Sequence, residues 1–472
     1  MNRSYYILIL SFIFCFSCKQ EKSTKDFPNI IFILADDLGF GDLACYGSEV
    51  HKTPNLDRLA SAGIQFTDFY AAASVCTPTR AAFLTGSYPR RVSLHRDSKN
   101  HCVLIPGANK GLNPDEITVA EILKSKGYAT GCFGKWHLGD QQVFLPNNHG
   151  FDTYFGVPYS NDMNSKERGD PPLPIVHNNR VILAPVDQKY LTKMCTDKAI
   201  EFIKDHSETP FFTYIPYNMP HNPIYASPDF EGRSSNGIYG DAVEEIDFSI
   251  GRIVSLLDSL NIYENTLFVF TSDNGAAKQF GGSNKPLSGW KGSNFEGGFR
   301  VPCIIKWDKL FNRGSNNNTF TTIMDFLPTF AEIVDYDLDI GRKIDGKSMY
   351  KLLTEGEDPD LSDRAFYYYY RDQLQAVRKG NWKLFLPLDV KQTRWNEILN
   401  EGPGQMAKLV NLESDLQEQH DLILEYPGKL QELTELADMI RLDLGDNDLQ
   451  GKNQRSAGWV DNPQYLIMNE NL

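Results

Sequence analysis

The chain has 472 residues, with 47 Lys and Arg against 61 Asp and Glu, for a formal net charge of −14. At 41% hydrophobic, 23% charged and 12% aromatic residues it has the composition of a folded globular protein, neither disordered nor fibrous. The acidic balance argues against a general nucleic-acid binder, which presents a basic face, and the lack of long apolar runs excludes a multi-span membrane protein.

Met1-Asn2-Arg3 is a short positive start, followed by the apolar stretch Tyr5 to Phe16 and then Ser17-Cys18 ahead of polar Lys19-Gln20-Glu21. This resembles a bacterial lipoprotein signal. It implies a signal peptide over 1–17, a lipid anchor on Cys18, a linker over 18–27 and an exported protein, periplasmic or on the outer membrane or cell surface of a bacterium. Cys45, Cys102, Cys132, Cys195 and Cys303 are scattered without metal-ligand spacing and offer no dense disulfide framework.

Asn29 to Ala35 (NIIFILA) is a continuous apolar, β-branched run, the pattern of a strand buried on both faces, and it ends at Asp36-Asp37. Thr53-Pro54 opens a short helix that stops near Gly63, a strand is expected from Ile64 to Tyr70, and a helix runs through Arg80 to Leu84. Asn113-Pro114-Asp115-Glu116 reads as a helix start, with Ile117, Ala120, Ile122 and Leu123 inward and a stop at Gly127. Strands follow at Tyr128 to Phe133, Phe211 to Ile215 and Leu267 to Thr271, with a helix from Tyr239 to Leu260. Alternating strands and helices predict an α/β fold, a mostly parallel sheet flanked by helices. From about residue 365 the pattern changes to short strands (Phe366 to Tyr370, Gln373 to Arg378, Trp382 to Leu386, Lys408 to Leu412) and a final helix, Pro427 to Leu444. That predicts a smaller C-terminal antiparallel sheet plus helix over 365–472, ending in a poorly anchored polar tail after 445, with the larger α/β domain over 28–364.

The polar clusters share one property. Asp36/Asp37, Lys135/His137, His221 and Asp273/Asn274 each lie just past the C-terminal end of an expected strand, the rim where open α/β sheets bind ligands. Cys76-Thr77-Pro78-Thr79-Arg80 places a cysteine at a helix entry, where the helix dipole and Arg80 favour an anion and a lowered thiol pKa. Asp36, Asp37, Asp273 and Asn274 offer only oxygen ligands, which suit a hard cation, Ca²⁺ before Mg²⁺.

Cys76-Thr-Pro-Thr-Arg80 followed by Leu84-Thr85-Gly86 resembles the signature of the type I sulfatases, in the alkaline phosphatase superfamily. The blocks PNIIFILADDLGFGDLACYG, TPNLDRLASAG, GCFGKWHLGD, TSDNGA, WKGSNFEGGFRVPCIIKW and KLVNLESD are similar to that family's in the same order. The pattern is that of arylsulfatase A-like and N-acetylgalactosamine-6-sulfatase-like members. Thr79 stands where serine is commoner.

The resemblance implies an alkaline-phosphatase-like fold and hydrolysis of sulfate monoesters, with carbohydrates or polysaccharides as substrates. It implies that a maturation enzyme oxidises Cys76 to Cα-formylglycine, whose hydrate attacks sulfur and whose second hydroxyl later expels sulfate. Cys76 would join Asp36, Asp37, Asp273 and Asn274 at the metal. Arg80, Lys135, His137, His221 and Lys291 match the sulfate-site positions, His221 with Lys291 protonating the leaving oxygen and His137 acting as base. His95, Asn161 and Asp162 fall in loops expected to contact substrate, whereas His149 and Arg300 read as structural. The alternatives are a phosphodiesterase or phosphonate monoester hydrolase of the same superfamily, and a non-catalytic binder of sulfated glycans.

Overall fold

The computed structural model describes residues 27–311, 314–339, 341–393 and 403–468; the expected signal and Cys18 lie outside them. Strand Asn29–Ala35 is buried along its whole length and occupies the middle of a ten-stranded sheet. Thr266–Ser272 and Phe211–Pro216 pair with it in parallel on either side, and Ala129–Lys135 and Thr153–Val157 extend the parallel block. Antiparallel strands Cys303–Lys306 and Ile64–Phe66 continue one edge, with Ser315–Asn317 outermost, and Ile175–His177 and Arg180–Leu183 continue the other.

The two-residue period of the central strand sorts its side chains into two cores. Ile30, Phe32 and Leu34 pack under helices Cys76–Thr85, Val119–Ser125 and Phe326–Ile333. Ile31, Ile33 and Ala35 face helices Pro54–Ala62, Leu191–Asp205 and Gly237–Ser259. Helix Cys76–Thr85 is buried on all sides, and Phe83 stacks on Phe32 with ring centroids 3.9 Å apart. Close approach in the parallel block depends on glycine. A Cβ on Gly134, whose φ is +145°, would sit 2.0 Å from the Pro216 carbonyl oxygen, and one on Gly156 would sit 1.8 Å from that of Gly134.

A four-stranded antiparallel sheet (Ala365–Tyr370, Gln373–Lys379, Trp382–Phe385, Lys408–Asn411) forms the C-terminal layer. Helix Pro427–Leu444 packs on it through Leu433, Ala437, Ile440 and Leu444. Its junction with the large sheet is polar and buried. Lys383 bridges Glu296 (2.9 Å) and Glu418 (2.7 Å), Arg378 pairs with Asp68 (2.6 Å), and the Tyr70 hydroxyl donates to Glu296. Removing one member of such a buried set strands an uncompensated charge, so these pairs fix how the two layers meet.

Three expectations are corrected. The strand foreseen from Ile64 to Tyr70 is two short strands, Ile64–Phe66 and Phe69–Tyr70, interrupted where Asp68 turns to Arg378. Asn113 to Glu116 is a turn, and the helix begins after Thr118, which forms a reciprocal capping box with Glu121. The segment after 445 is anchored as far as it is described. Gly458–Trp459 pairs with Lys110–Gly111, and Arg455 donates to Glu116 at 2.7 Å.

Candidate active site

The register of the parallel block creates the site. Ala35 lies beside Ser272 and Leu34 beside Pro216, so these three strands end level. Asp36, Asp273 and the loop carrying His221 therefore leave the sheet at one rim, and Lys135 ends the strand beyond. The turns are tied together: the Asp36 amide donates to the Met219 carbonyl (3.1 Å), the Asp273 amide to that of Ala35 (3.1 Å) and the Asp37 amide to Asp273 Oδ1 (3.2 Å). Asp37 and His137 both adopt left-handed backbone, with φ of 64° and 62°, a strained geometry that recurs at functional sites.

Cys76 is the first residue of its helix and is buried. Ligand atoms of Asp36, Asp37, Cys76 and His221 all lie within 4.8 Å of one another. Lys291 Nζ lies 2.7 Å from Asp37 Oδ1 and 3.6 Å from Cys76 Sγ. Arg80 donates through Nε and one terminal nitrogen to Asp273 Oδ2 (3.0 and 2.8 Å), and through the other to the Lys135 carbonyl (2.7 Å). Lys135 Nζ bridges Asp36 Oδ2 (2.5 Å) and Ser160 Oγ (3.0 Å). His221 Nε2 is 3.8 Å from Asp37 Oδ2.

The charges perturb one another strongly. Burial raises both carboxyls, but Lys135, His221, Arg80 and Lys291 outweigh it at Asp36, and Lys291 and His221 at Asp37, holding both below the usual range. Asp273 is pushed up to about 7 by burial and by the Asp36 charge, against Arg80 and Lys135. The thiol of Cys76 is pushed up to about 12, because burial overrides Lys135 and Lys291. This reverses the lowered value expected from the helix entry: an unmodified thiol at this position is held protonated, a poor nucleophile.

The donor set fits a divalent cation. Asp36 Oδ1 and Asn274 Oδ1 are buried acceptors with no hydrogen-bond partner, while Asn274 Nδ2 is turned away to donate to Asp37 Oδ1 (2.7 Å) and the Gly275 carbonyl (3.0 Å). Buried oxygens of this kind are costly unless something coordinates them. Carboxylate and amide oxygens are the ligands of Ca²⁺ or Mg²⁺.

The outlying residues separate into groups. Asp162 is close enough for His221, Lys135 and Lys291 to influence it; burial raises its carboxyl, and these charges with a Ser160 hydrogen bond lower it overall. Asn161 is buried and donates to Gln188 Oε1 and the Pro223 carbonyl, both at 3.0 Å, bracing the His221 loop. His95 lines a recess beside Val75 and Pro78, and its Nε2 is engaged by Asp372 at 3.0 Å, which also holds Arg90 and Arg96. Arg300 reaches the Thr67 carbonyl and Asp68. Sequence reasoning passed over Ser160, which lies beyond strand Thr153–Val157 on the same rim, so its position past a strand end was the available signal. It also passed over Thr77, whose hydroxyl donates to the His137 carbonyl (3.0 Å) and accepts from the Leu104 amide (3.2 Å).

His149 stacks on Trp136 with centroids 5.7 Å apart, and both its ring nitrogens are buried without partners. Burial lowers its pKa from 6.5 to about 4. Between those values the unfolded chain binds the proton and the folded one does not, so stability rises with pH across the window and is full above 6.5. Its slope from this residue is on the order of 1 kcal/mol per pH unit. Melting temperatures from pH 4 to 7 are expected to rise, and His149→Gln is expected to flatten the rise; an unchanged slope would show that His149 is not the group responsible.

Comparison with known proteins agrees with this architecture. The family model described as Sulfatase matches residues 28–336, and one described as N-sulphoglucosamine sulphohydrolase, C-terminal, matches 290–426. N-acetylgalactosamine-6-sulfatase of Canis lupus familiaris is 39% identical over 375 residues, covering 75% of this chain and 71% of that protein. Steryl-sulfatase of Homo sapiens is 34% identical over 454 residues, covering 78% of each. Among solved structures, a protein described within the metabolism of multiple glycosaminoglycans by Bacteroides thetaiotaomicron superposes with a TM-score of 0.78 at 28% identity, over 88% of this chain and 99% of that one. Ps i-CgsB in complex with k-i-k-neocarrahexaose superposes at 0.75 with 31% identity, over 88% and 92%.

An alkaline-phosphatase-like sheet with this rim of acids and bases thus defines a sulfuric ester hydrolase. The chain belongs to the sulfatase family.

Proposed function

We propose that this sulfatase cleaves sulfate monoesters of carbohydrates, with Cys76 converted by a maturation enzyme to Cα-formylglycine and a divalent cation, Ca²⁺ before Mg²⁺, held by Asp36, Asp37, Asp273 and Asn274. The observation that carries the reading is Cys76 itself. It is buried at a helix start, within 4.8 Å of Asp36, Asp37 and His221 ligand atoms, with a thiol whose pKa burial raises. The aldehyde hydrate supplies a hydroxyl nucleophile and a second hydroxyl for releasing sulfate, and the cation supplies Lewis acidity.

The chain's own residues do the rest. Asp36, Asp37 and Asp273 are offset by Arg80, Lys135 and Lys291, so a divalent ion leaves a positive surplus for an anionic ester. Lys135 and Arg80, locked by carboxylates, hold fixed positive charge where negative charge builds up. Lys291 Nζ and His221 Nε2 lie on the Asp37 side and are the donors assigned to the leaving oxygen; burial and Lys291 lower the His221 pKa, against Asp37 and Asp36. The Leu104 carbonyl, 3.0 Å from His137 Nε2, is an acceptor only; it therefore fixes the proton on Nε2 and leaves Nδ1, which has no partner, as a base. Burial, with Lys135 and Arg80, keeps that imidazole neutral, as a base must be.

Support for sugar substrates comes from the N-acetylgalactosamine-6-sulfatase and carrageenan-oligosaccharide comparisons. A phosphonate monoester hydrolase of Agrobacterium radiobacter shares only the fold, at 19% identity and a TM-score of 0.62. Matched assays on sulfate and phosphate esters of the same sugars, with a steroid sulfate alongside, test the proposal. Sugar sulfates are expected to be turned over fastest; preference for phosphate or for the steroid would overturn it.

A further inference from the structure

Thr77 follows the reacting residue directly, in the first turn of helix Cys76–Thr85, and is buried. Its hydroxyl is used twice. It donates to the His137 carbonyl at 3.0 Å and accepts from the Leu104 amide at 3.2 Å. The Leu104 carbonyl in turn accepts from His137 Nε2 at 3.0 Å. Three residues from three separate segments thus close a ring of hydrogen bonds. Thr77, His137 and Leu104 are exposed by only 1%, 1% and 2%, so bulk water does not compete for these bonds.

The ring acts on both the main chain and the imidazole of His137. That residue holds left-handed backbone, with φ of 62°, which a residue with a Cβ keeps only when its surroundings fix it. Its amide is fixed by the Pro158 carbonyl at 3.1 Å, and its carbonyl by Thr77. The imidazole is oriented by Leu104, and Leu104 is held by Thr77. A threonine side chain is β-branched and has few rotamers. The helix that carries residue 76 therefore sets where the hydroxyl stands, and through it where the imidazole stands.

We infer that Thr77 is a positioning residue for His137. Its hydroxyl fixes the ring orientation and the Nε2–H tautomer, and leaves Nδ1, which has no hydrogen-bond partner, to take a proton in the step that releases sulfate. The inference deepens the proposed function and rests on its assignment of His137 as the base. Without the hydroxyl, the Leu104 amide and the His137 carbonyl lose a buried partner, and the group that orients the imidazole is free to shift. Attack on sulfur does not call on His137 and is spared.

Thr77→Val keeps the shape of the side chain and removes the hydroxyl. Because Thr77 adjoins the residue being matured, turnover is counted per aldehyde-bearing molecule, with that fraction measured by mass spectrometry. On this basis it is expected to fall about 10–100-fold. On the sugar sulfate that the wild type cleaves best, desulfated sugar should still appear in a rapid burst equal to the aldehyde-bearing fraction, ahead of slow release of sulfate. Thr77→Ser should recover turnover to within about fivefold of the wild type. A loosened fold would slow both phases alike. Equal slowing of burst and steady state, unchanged turnover, or no recovery by serine would overturn the role.

A readout without turnover separates the two proposals. In the Cys76→Ala background, imidazole nitrogen shifts of isotope-labelled histidine report the His137 tautomer, with the signal assigned by its loss in His137→Gln. A single Nε2–H form is expected with Thr77 in place. A mixture of tautomers or a broadened signal is expected with Thr77→Val, or with Thr77→Ala should the valine variant not fold. If the signal changes in this way but the wild type hydrolyses no sulfate ester, the positioning role stands and the proposed reaction falls. If it is indifferent to Thr77, the positioning role falls whatever the turnover.

Discussion

Asp36→Asn and Asp273→Asn are each expected to lower kcat/KM for sulfate-ester hydrolysis by about 10³-fold, roughly 4 kcal/mol of transition-state stabilisation. Asparagine is chosen because alanine would confuse two effects. Arg80 is wholly buried and makes two hydrogen bonds to Asp273 Oδ2, so Asp273→Ala would strand that guanidinium at a cost of about 3–5 kcal/mol. The amide keeps the shape and one acceptor oxygen while removing the charge that holds a cation. Exhaustive chelation is expected to have the same effect on the wild type, with Ca²⁺ restoring activity better than Mg²⁺. Full activity after chelation and in both variants would remove the cation from the account.

The second large effect concerns the nucleophile. Cys76→Ala is expected to lower turnover by about 10⁵-fold or more, as removal of an attacking group does in other hydrolases. Melting should shift little, because the side chain is small and Val75 and Thr79 hold the helix start through a backbone bond. Cys76→Ser should be inactive, or stall as a sulfated adduct, in a host that does not oxidise serine. A sulfate ester of serine has no second hydroxyl with which to expel the group. Rapid, repeated turnover by Cys76→Ser in such a host would show that release does not need the aldehyde hydrate.

How far the sequence reveals this molecule depends on the range of the interaction. The parallel block was legible because Asn29 to Ala35 carries its own evidence, an unbroken apolar β-branched run that only a strand buried on both faces tolerates. The rim was legible because ligands of this fold gather where such strands end; Asp36, His221 and Asp273 follow strands and Lys135 ends one. What escaped depended on partners distant in sequence. Asn113-Pro114-Asp115-Glu116 has the local chemistry of a helix start, yet Glu116 is engaged by Arg455, and Thr118 with Glu121 supplies the cap. The anchoring of the segment after 445 rests on that same Arg455 and on pairing with Lys110–Gly111, neither of which composition reveals.

The thiol of Cys76 shows the same limit in electrostatics. Helix dipole and nearby cations, both readable from CTPTR, favour the thiolate, but the depth of burial decides the outcome and only the packed structure supplies it. Ser160 was missed because strand Thr153–Val157 was not among those expected, although Asn161 and Asp162 beside it were singled out; its role emerges when Lys135 reaches it.

The central claim is that the reacting residue at position 76 is no longer a cysteine, because burial disfavours the thiolate and a sulfur-bound sulfo group would have no internal route of release. Mass spectrometry of the peptide spanning Cys76, taken from a preparation whose sulfate-ester turnover has been measured, tests it most directly. The account predicts an aldehyde in place of the thiol, in a fraction of molecules that tracks specific activity across preparations. A fully unmodified thiol in a preparation with high turnover would contradict it.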